Sequence, residues 1–190
     1  LKFELNYAKI SKNGVGAMEI WDLYDQDRMP TGQIGIRGGD PLPKGRYHMV
    51  VHVCIFNSKG EMLIQHRQPF KKGWPNLWDV SVGGSACQGE NSRLAAERET
   101  LEELGLAIDL SDQRPYLTIH FANGFDDIYL LQQEVDLEQL HLQVEEVQAV
   151  QWASLTKIEQ MIEEGSFIPY QPGLLQVLFA MHQQRGAVRE

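Results

Sequence analysis

Apolar residues in this chain alternate with polar ones in some stretches and recur every three or four positions in others, and the two periods predict its elements. "MEIWDLYD" (18–25) alternates as a strand does, and "QIGIRGG" (33–39) is a partner for it, with "QDRMPTG" between them as the turn. "DPLPKG" (40–45) reads as a joint. It separates an N-terminal extension, 1–45, expected to pack on the main domain as a β-hairpin, from that domain, 46–190. "RYHMVVHVCIFN" and "MLIQHR" predict two strands closed into a hairpin by "SKGE", and "VSVGG" predicts a short strand ending in glycines. A helix over about 92–104 follows, capped by Asn91 or Ser92 and ended by Gly105. "YLTIHFA" and "DIYLLQQEV" form a second strand pair around "NGFD", and "VEEVQAVQW" supplies a further strand. "SLTKIEQMIEEG" and "PGLLQVLFAMHQQ" have the helical period, with Ser154 and Pro172 at their starts. Residues 1–17 carry no clear signal. Mixed strands with a few helices predict an α/β (α+β) fold rather than an all-α bundle.

Composition narrows the chemistry. The 190 residues carry a net charge of −9, so phosphate backbones are repelled and nucleic acid is not an expected partner, whereas divalent cations are favoured. Two cysteines, Cys54 and Cys87, make neither a disulfide framework nor a CxxC metal spacing, which fits a reducing cytoplasm. The first thirty residues lack a basic start followed by an apolar core, and the best apolar run, "MVVHVCIF", is too short to span a bilayer. No membrane association is expected.

The helix near 92–104 holds an anomaly. Glu99, Glu102 and Glu103 fall within five consecutive residues. At about 100° per residue, Glu102 and Glu103 lie about −60° and +40° from Glu99, so all three share a face and repel one another. Leu94, Leu101 and Leu104 fall on the opposite side, where they are expected to pack on a sheet; Glu97 falls among them without an evident role. Acidic strips are commonly solvated faces. This one is entered through Gly83-Gly84 and has no lysine one turn away; only Arg98 brings positive charge, within reach of Glu102 at i+4. Carboxylates without cationic partners suit a hard divalent metal shared with substrate phosphates.

The spacing is specific. Gly84, five residues, Glu90, seven residues, Arg98-Glu99, two positions, Glu102-Glu103, one position, then Gly105 and Leu106 resembles the box of the Nudix hydrolases, GX5EX7REUXEEXGU. Thr100 stands where a bulky aliphatic is expected; its β-branched side chain is close to valine in size, with a hydroxyl that can bond back to the helix. "RYHMVVHVCIFNSKGEMLIQHR", "KKGWPNLWDVSVGG" and "VEEVQAVQWASL" resemble the branch that includes type 1 isopentenyl diphosphate isomerases.

The resemblance implies a mixed sheet sandwiched between helices and a hydrolase that cleaves a diphosphate linked to a moiety X, using Mg²⁺ or Mn²⁺. It implies that Glu99, Glu102, Glu103 and the carbonyl of Gly83 hold metal, and that Glu90 and Arg98 pair to fix the loop on the helix. Arg67 and Lys71 match positions that bind diphosphate in the isomerases, as a fork and a mobile point charge would. The general base stays open among Glu103, Glu99, Asp126, Asp127, Glu145 and Glu146, with Glu146 read first as a rim or structural charge; Asp127 falls where the isomerases place an acidic ligand, and His48 where they place a metal-binding histidine, although by itself it reads as a satisfied core or edge histidine. Lys72 is expected to be a solvated charge, and Trp74 and Trp78 packing residues, the alternative being that one of the two touches a base or ring of the substrate.

Two other readings are weighed. The isomerases need a cysteine just before the first box glycine and a histidine just after it, and Gly83 and Ser85 hold those places here. A non-catalytic nucleotide-binding module is the second, but such modules usually lose box carboxylates, and this chain keeps them. The expected partner is a small-molecule diphosphate, and a homodimer is compatible with the sequence.

Overall fold

The computed structural model describes residues 18–188, so the first seventeen residues of the predicted extension lie outside the described part. β1 (Ile20–Tyr24) and β2 (Pro30–Ile36) pair antiparallel as a separate two-stranded ribbon. The remaining strands make one mixed sheet. At its centre β3 (His48–Phe56) runs parallel to β8 (Gly124–Gln132). It is antiparallel to β6 (Val82–Ser85) on its other side. β7 (Leu117–Phe121) closes one edge beside β8. At the other edge β4 (Met62–Arg67) pairs with β5 (Trp78–Asp79) and β9 (Val147–Ala153).

Being central, β3 is apolar on both faces, which is why "MVVHVCIF" reads as a run rather than an alternation. Val51, Val53 and Ile55 pack under α1 (Ser92–Leu104) with Ala95, Ala96 and Leu104. Cys54 and Phe56 face α2 (Leu155–Glu163) and α3 (Leu174–Met181) through Ile158, Met161, Leu175 and Leu178. The result is the expected mixed sheet between helices.

Two local expectations are corrected. The "SKGE" turn forms, with Asn57 N–H donating to Glu61 O, but β3 and β4 pair only at Phe56 and Met62 before parting. The hydroxyl of Ser81 fills the fork: it accepts from Ile55 N–H (2.8 Å) and donates to Leu63 O (2.5 Å), and β6 then takes the freed edge of β3. The second correction concerns the helix. Leu94 and Leu101 are exposed, and only Leu104 of the three leucines is buried. The face of α1 on the sheet is Ala95, Ala96, Thr100, Glu103 and Leu104. Small side chains let the helix lie close to β3 and β6, so Glu103 is buried and Glu99 partly buried, while Glu102 stays exposed.

The ribbon is clasped to the sheet. Arg28, in the β1–β2 turn, donates through both terminal nitrogens to Asp127 (3.0 and 2.7 Å), and Trp21 stacks on His48 with ring centroids 4.2 Å apart. His48 is therefore packed under an indole, as an edge histidine. Among the described residues, no helix is long and apolar enough to cross a membrane.

Candidate active site

A cleft of about 700 Å³ runs along the sheet-facing flank of α1, and Glu99, Glu102, Glu103, Gly83, Gly84, Arg67 and Lys71 all line it. The helix is set in place from both ends. Asn91 caps it by accepting from Leu94 N–H (3.0 Å), and Gly105, at φ 67°, ends it. Glu97, unexplained by helical period, accepts from Leu110 N–H (2.8 Å) and ties the following loop to the helix. Thr100 donates to Ala96 O (2.7 Å), so its hydroxyl is satisfied inside the aliphatic position it occupies.

Arg98 organises the entrance. It grips Glu90 through Nε (2.7 Å) and Nη2 (2.9 Å) and also donates to Ser85 O (3.0 Å). Glu90 in turn accepts from Cys87 N–H (2.9 Å), which joins loop to helix as a rigid unit. The other terminal nitrogen of Arg98 lies 3.0 Å from Glu99 and 2.9 Å from Glu102. Gly84 has no room for a side chain, because a Cβ there would lie 2.2 Å from the Glu99 carboxyl.

The electrostatics follow from burial. Burial, opposed by Arg98 and reinforced by Glu102, pushes the Glu99 carboxyl up to about 7. Burial and the neighbouring Glu99 push Glu103 up to about 8, although Gln65 donates to it (3.0 Å). Opposite stand the cations. Lys71 is paired with Glu146, and its pKa is lowered by burial and by Arg67 and Arg37. Arg67 is held by Asp79 (3.2 Å) and Gly73 O.

Among the described residues, no three His, Cys, Asp or Glu side chains converge on one point as they stand, and Arg98 reaches both Glu99 and Glu102. The donor chemistry nevertheless fits a hard cation. Two mutually repelling carboxylates, Glu103 buried and Glu99 partly so, line the cleft with Gly83, and a divalent ion would offset both the cost of burying their charge and their repulsion.

Asp127 is not brought to this cleft. It is buried on β8, saturated by Arg28 and by the Thr118 hydroxyl (2.6 Å), and lines a separate cavity of about 570 Å³ with Ser92 and Arg114. Asp126, on the other face of the strand, bonds His52 Nδ1 at 2.8 Å. Burial works against charge on that ring, but Asp126 outweighs it and raises His52 to about 9. Glu146 lines the cleft as the partner of Lys71. Trp78 packs face to face with His66, with centroids 4.8 Å apart, whereas Trp74 is 53% exposed, contrary to a packing role.

Sequence reasoning missed Arg37 and Glu19, which line the cleft from the ribbon and pair with each other at 2.5 Å. Neither carries a spacing signal, since only the docking of the ribbon brings them there.

A family model described as NUDIX domain matches residues 46–171. A Nudix hydrolase of Listeria innocua is 52% identical over 153 residues, spanning 80% of this chain and 90% of its own length. An isopentenyl-diphosphate Delta-isomerase of Salmonella typhi is 26% identical over 147 residues, covering 74% of this chain and 80% of its own. A solved protein of Deinococcus radiodurans superposes with a TM-score of 0.68 at 26% identity, over 84% of this chain and 97% of its own. Box spacing, a sheet between helices, a carboxylate helix on a cleft and this match across two thirds of the sequence agree: the chain belongs to the Nudix hydrolase family.

Proposed function

We propose that the protein hydrolyses a diphosphate linkage in a nucleoside diphosphate joined to a moiety X, by attack of water on phosphorus. The observation that carries this is one cleft lined by partly buried Glu99 and buried Glu103 together with Arg67 and Lys71. The family generally uses a divalent metal; here Glu99, Glu102, Glu103 and the carbonyl of Gly83 would hold Mg²⁺ or Mn²⁺. Bound there, the ion supplies charge neutralisation at the phosphate oxygens and a more acidic water.

The chain's own groups divide the remaining work. Arg67 and Lys71 bind and orient the diphosphate, Arg67 pre-set by Asp79 and Lys71 by leaving Glu146. Arg98, locked on Glu90, keeps Glu99 and Glu102 in register with the loop. Glu103, whose proton affinity is raised by burial and by Glu99, takes the proton of the attacking water, with Glu99 as the alternative base. Asp127 is a weaker candidate, because Arg28 and Thr118 occupy its oxygens. The water oxygen bonds to phosphorus, the bridging P–O bond breaks, and nucleoside monophosphate and phosphorylated X leave. Two unpaired thiols are consistent with work in the cytoplasm.

The isomerase reading is disfavoured by space. A Cβ at Gly83 would lie 2.8 Å from the His52 ring, so the cysteine that chemistry needs has no place without moving His52. Incubation with Mg²⁺ or Mn²⁺ and a panel of nucleoside diphosphate derivatives, with phosphate and nucleotide release measured with and without a chelator, tests the proposal. Release that is lost in chelator is expected. Tight nucleotide binding without release would instead favour a binding module, and full activity in chelator would remove the metal assignment.

A further inference from the structure

Beside the cleft lies a smaller cavity of about 300 Å³ that shares Arg37, Arg67, Gly83 and Gly84 with it. Its other walls differ in kind. Trp74 and Tyr170 are aromatic, Ile168 and Val50 apolar, and His52 and Ser85 polar. Arg67, Asp79 and Tyr170 are spent on one another, whereas, among the described residues, His52 Nε2 and the Ser85 hydroxyl bond to no other wall of the cavity. Asp79 is satisfied by Arg67, by the Tyr170 hydroxyl (2.6 Å) and by Val80 N–H (2.8 Å), which holds two walls in place. His52 uses Nδ1 on Asp126, and its Nε2 edge lies beside Gly83, where a Cβ would come within 2.9 Å. Glycine at 83 therefore keeps the ring edge accessible.

Trp74 is the feature that packing does not explain. It is 53% exposed and has no aromatic partner among the described residues, whereas Trp21 and Trp78 each stack on a histidine. Its loop is held in an unusual shape: Trp74 at φ 49° and Asn76 at φ 59° both sit in the left-handed region without being glycine. Such conformations persist where the surroundings impose them, here through Arg67 bonding Gly73 O and Gln148 bonding Asn76. The same loop carries Lys71. An indole presented beside the diphosphate-binding side chains, over a cavity with a polar floor, is suited to a flat ring with hydrogen-bonding edges.

We infer that this cavity is the subsite for a flat heteroaromatic ring attached to the diphosphate, with Trp74 as its stacking wall and His52 and Ser85 reading its edge. The inference rests on the hydrolase reading for the position of the diphosphate, and it makes Trp74 a specificity residue rather than a catalytic one.

The test compares ADP-ribose, whose flat ring is the base, thiamine diphosphate, which has a flat ring without a nucleoside, and ethyl diphosphate, which has none. Steady-state hydrolysis is measured with Mg²⁺ for wild type, Trp74→Ala and Trp74→Phe. Trp74→Ala is expected to raise KM roughly five- to a hundredfold for a ring-bearing substrate, the usual scale of a lost stacking contact, with little change in kcat. It should leave ethyl diphosphate unchanged, and Trp74→Phe should keep most of the affinity. Which of ADP-ribose and thiamine diphosphate responds identifies the source of the ring. Equal KM changes for ring-bearing and ring-free substrates, or none, would overturn the subsite. Tryptophan emission during titration of metal-free protein with the same compounds needs no turnover. Saturable quenching by a ring-bearing compound, lost in Trp74→Phe and absent with ethyl diphosphate, is expected even if wild type hydrolyses nothing and the hydrolase reading fails. Quenching that survives in Trp74→Phe, or none with either ring, would overturn the inference separately.

Discussion

At the scale of single residues, Glu103 separates a metal site from a solvated face. Glu103→Gln keeps the shape and the contact with Gln65 while removing a charge that burial disfavours. The fold should survive, and kcat should fall on the order of 10²–10⁴, the usual size of an acid–base contribution. Divalent metal should no longer raise the melting temperature as it does for wild type. Wild-type turnover with unchanged metal-induced stabilisation would show that Glu103 is neither ligand nor base. Thr100 supplies the opposite expectation. Its hydroxyl is bonded only to Ala96 O, an acceptor already used by the helix, so Thr100→Val leaves no buried group unpaired. Thermal melts and kinetics of Thr100→Val should match wild type or show a slightly more stable protein.

At the scale of elements, the β1–β2 ribbon is the part of the molecule whose contribution is hardest to see from local pattern. It lays Arg37 and Glu19 along the cleft, and the Arg28–Asp127 clasp holds it there. Removing the guanidinium leaves Asp127 buried and unpaired, which costs about 3–5 kcal/mol in comparable cases. Arg28→Ala should therefore lower stability on that scale in denaturant melts. Arg28→Ala with Asp127→Asn should recover part of it, because the stranded charge is gone. If Asp127 were instead the catalytic base, Asp127→Asn alone would abolish turnover; loss of stability with retained kcat is the result expected of an anchor.

For the whole molecule, the buried charges make stability depend on pH. Folding raises Glu99 from 4.5 to about 7 and Glu103 from 4.5 to about 8, so the folded state binds these protons more tightly than the unfolded state. Below 4.5 both states are protonated and nothing is lost; the penalty grows as pH rises and is complete above about 8. His52, raised from 6.5 to about 9 by Asp126 against the effect of burial, contributes stability that is full below 6.5 and is lost as pH rises through about 9. Both effects have the same sign. The melting temperature of metal-free protein should fall steadily from about pH 5 to pH 9. Divalent cation should flatten the glutamate part, Glu103→Gln only the share of Glu103, and both should leave most of the His52 part, which Asp126→Asn should remove. A melting temperature that rises toward alkaline pH would contradict the burial of both glutamates.

What the sequence by itself determined is what short-range chemistry controls. The caps of α1 at Asn91 and Gly105, the alternating strands and the box spacing depend on residues close in the chain, so they are legible from order and period alone, and the Glu90–Arg98 pair follows from the resemblance that the box spacing carries. Tertiary structure decided the rest. Which flank of α1 is buried turned on the close approach allowed by Ala95, Ala96 and Thr100, which overrode the leucines that a helical wheel favours. The early parting of β3 and β4 depended on one hydroxyl, Ser81, reaching both strands from elsewhere in the chain. Asp127 became an anchor, and Arg37 a wall of the cleft, because a ribbon whose Arg28 lies 99 residues upstream of Asp127 docks beside the sheet. Contacts between such distant segments leave no period in the sequence, since their geometry is set only when the layers pack.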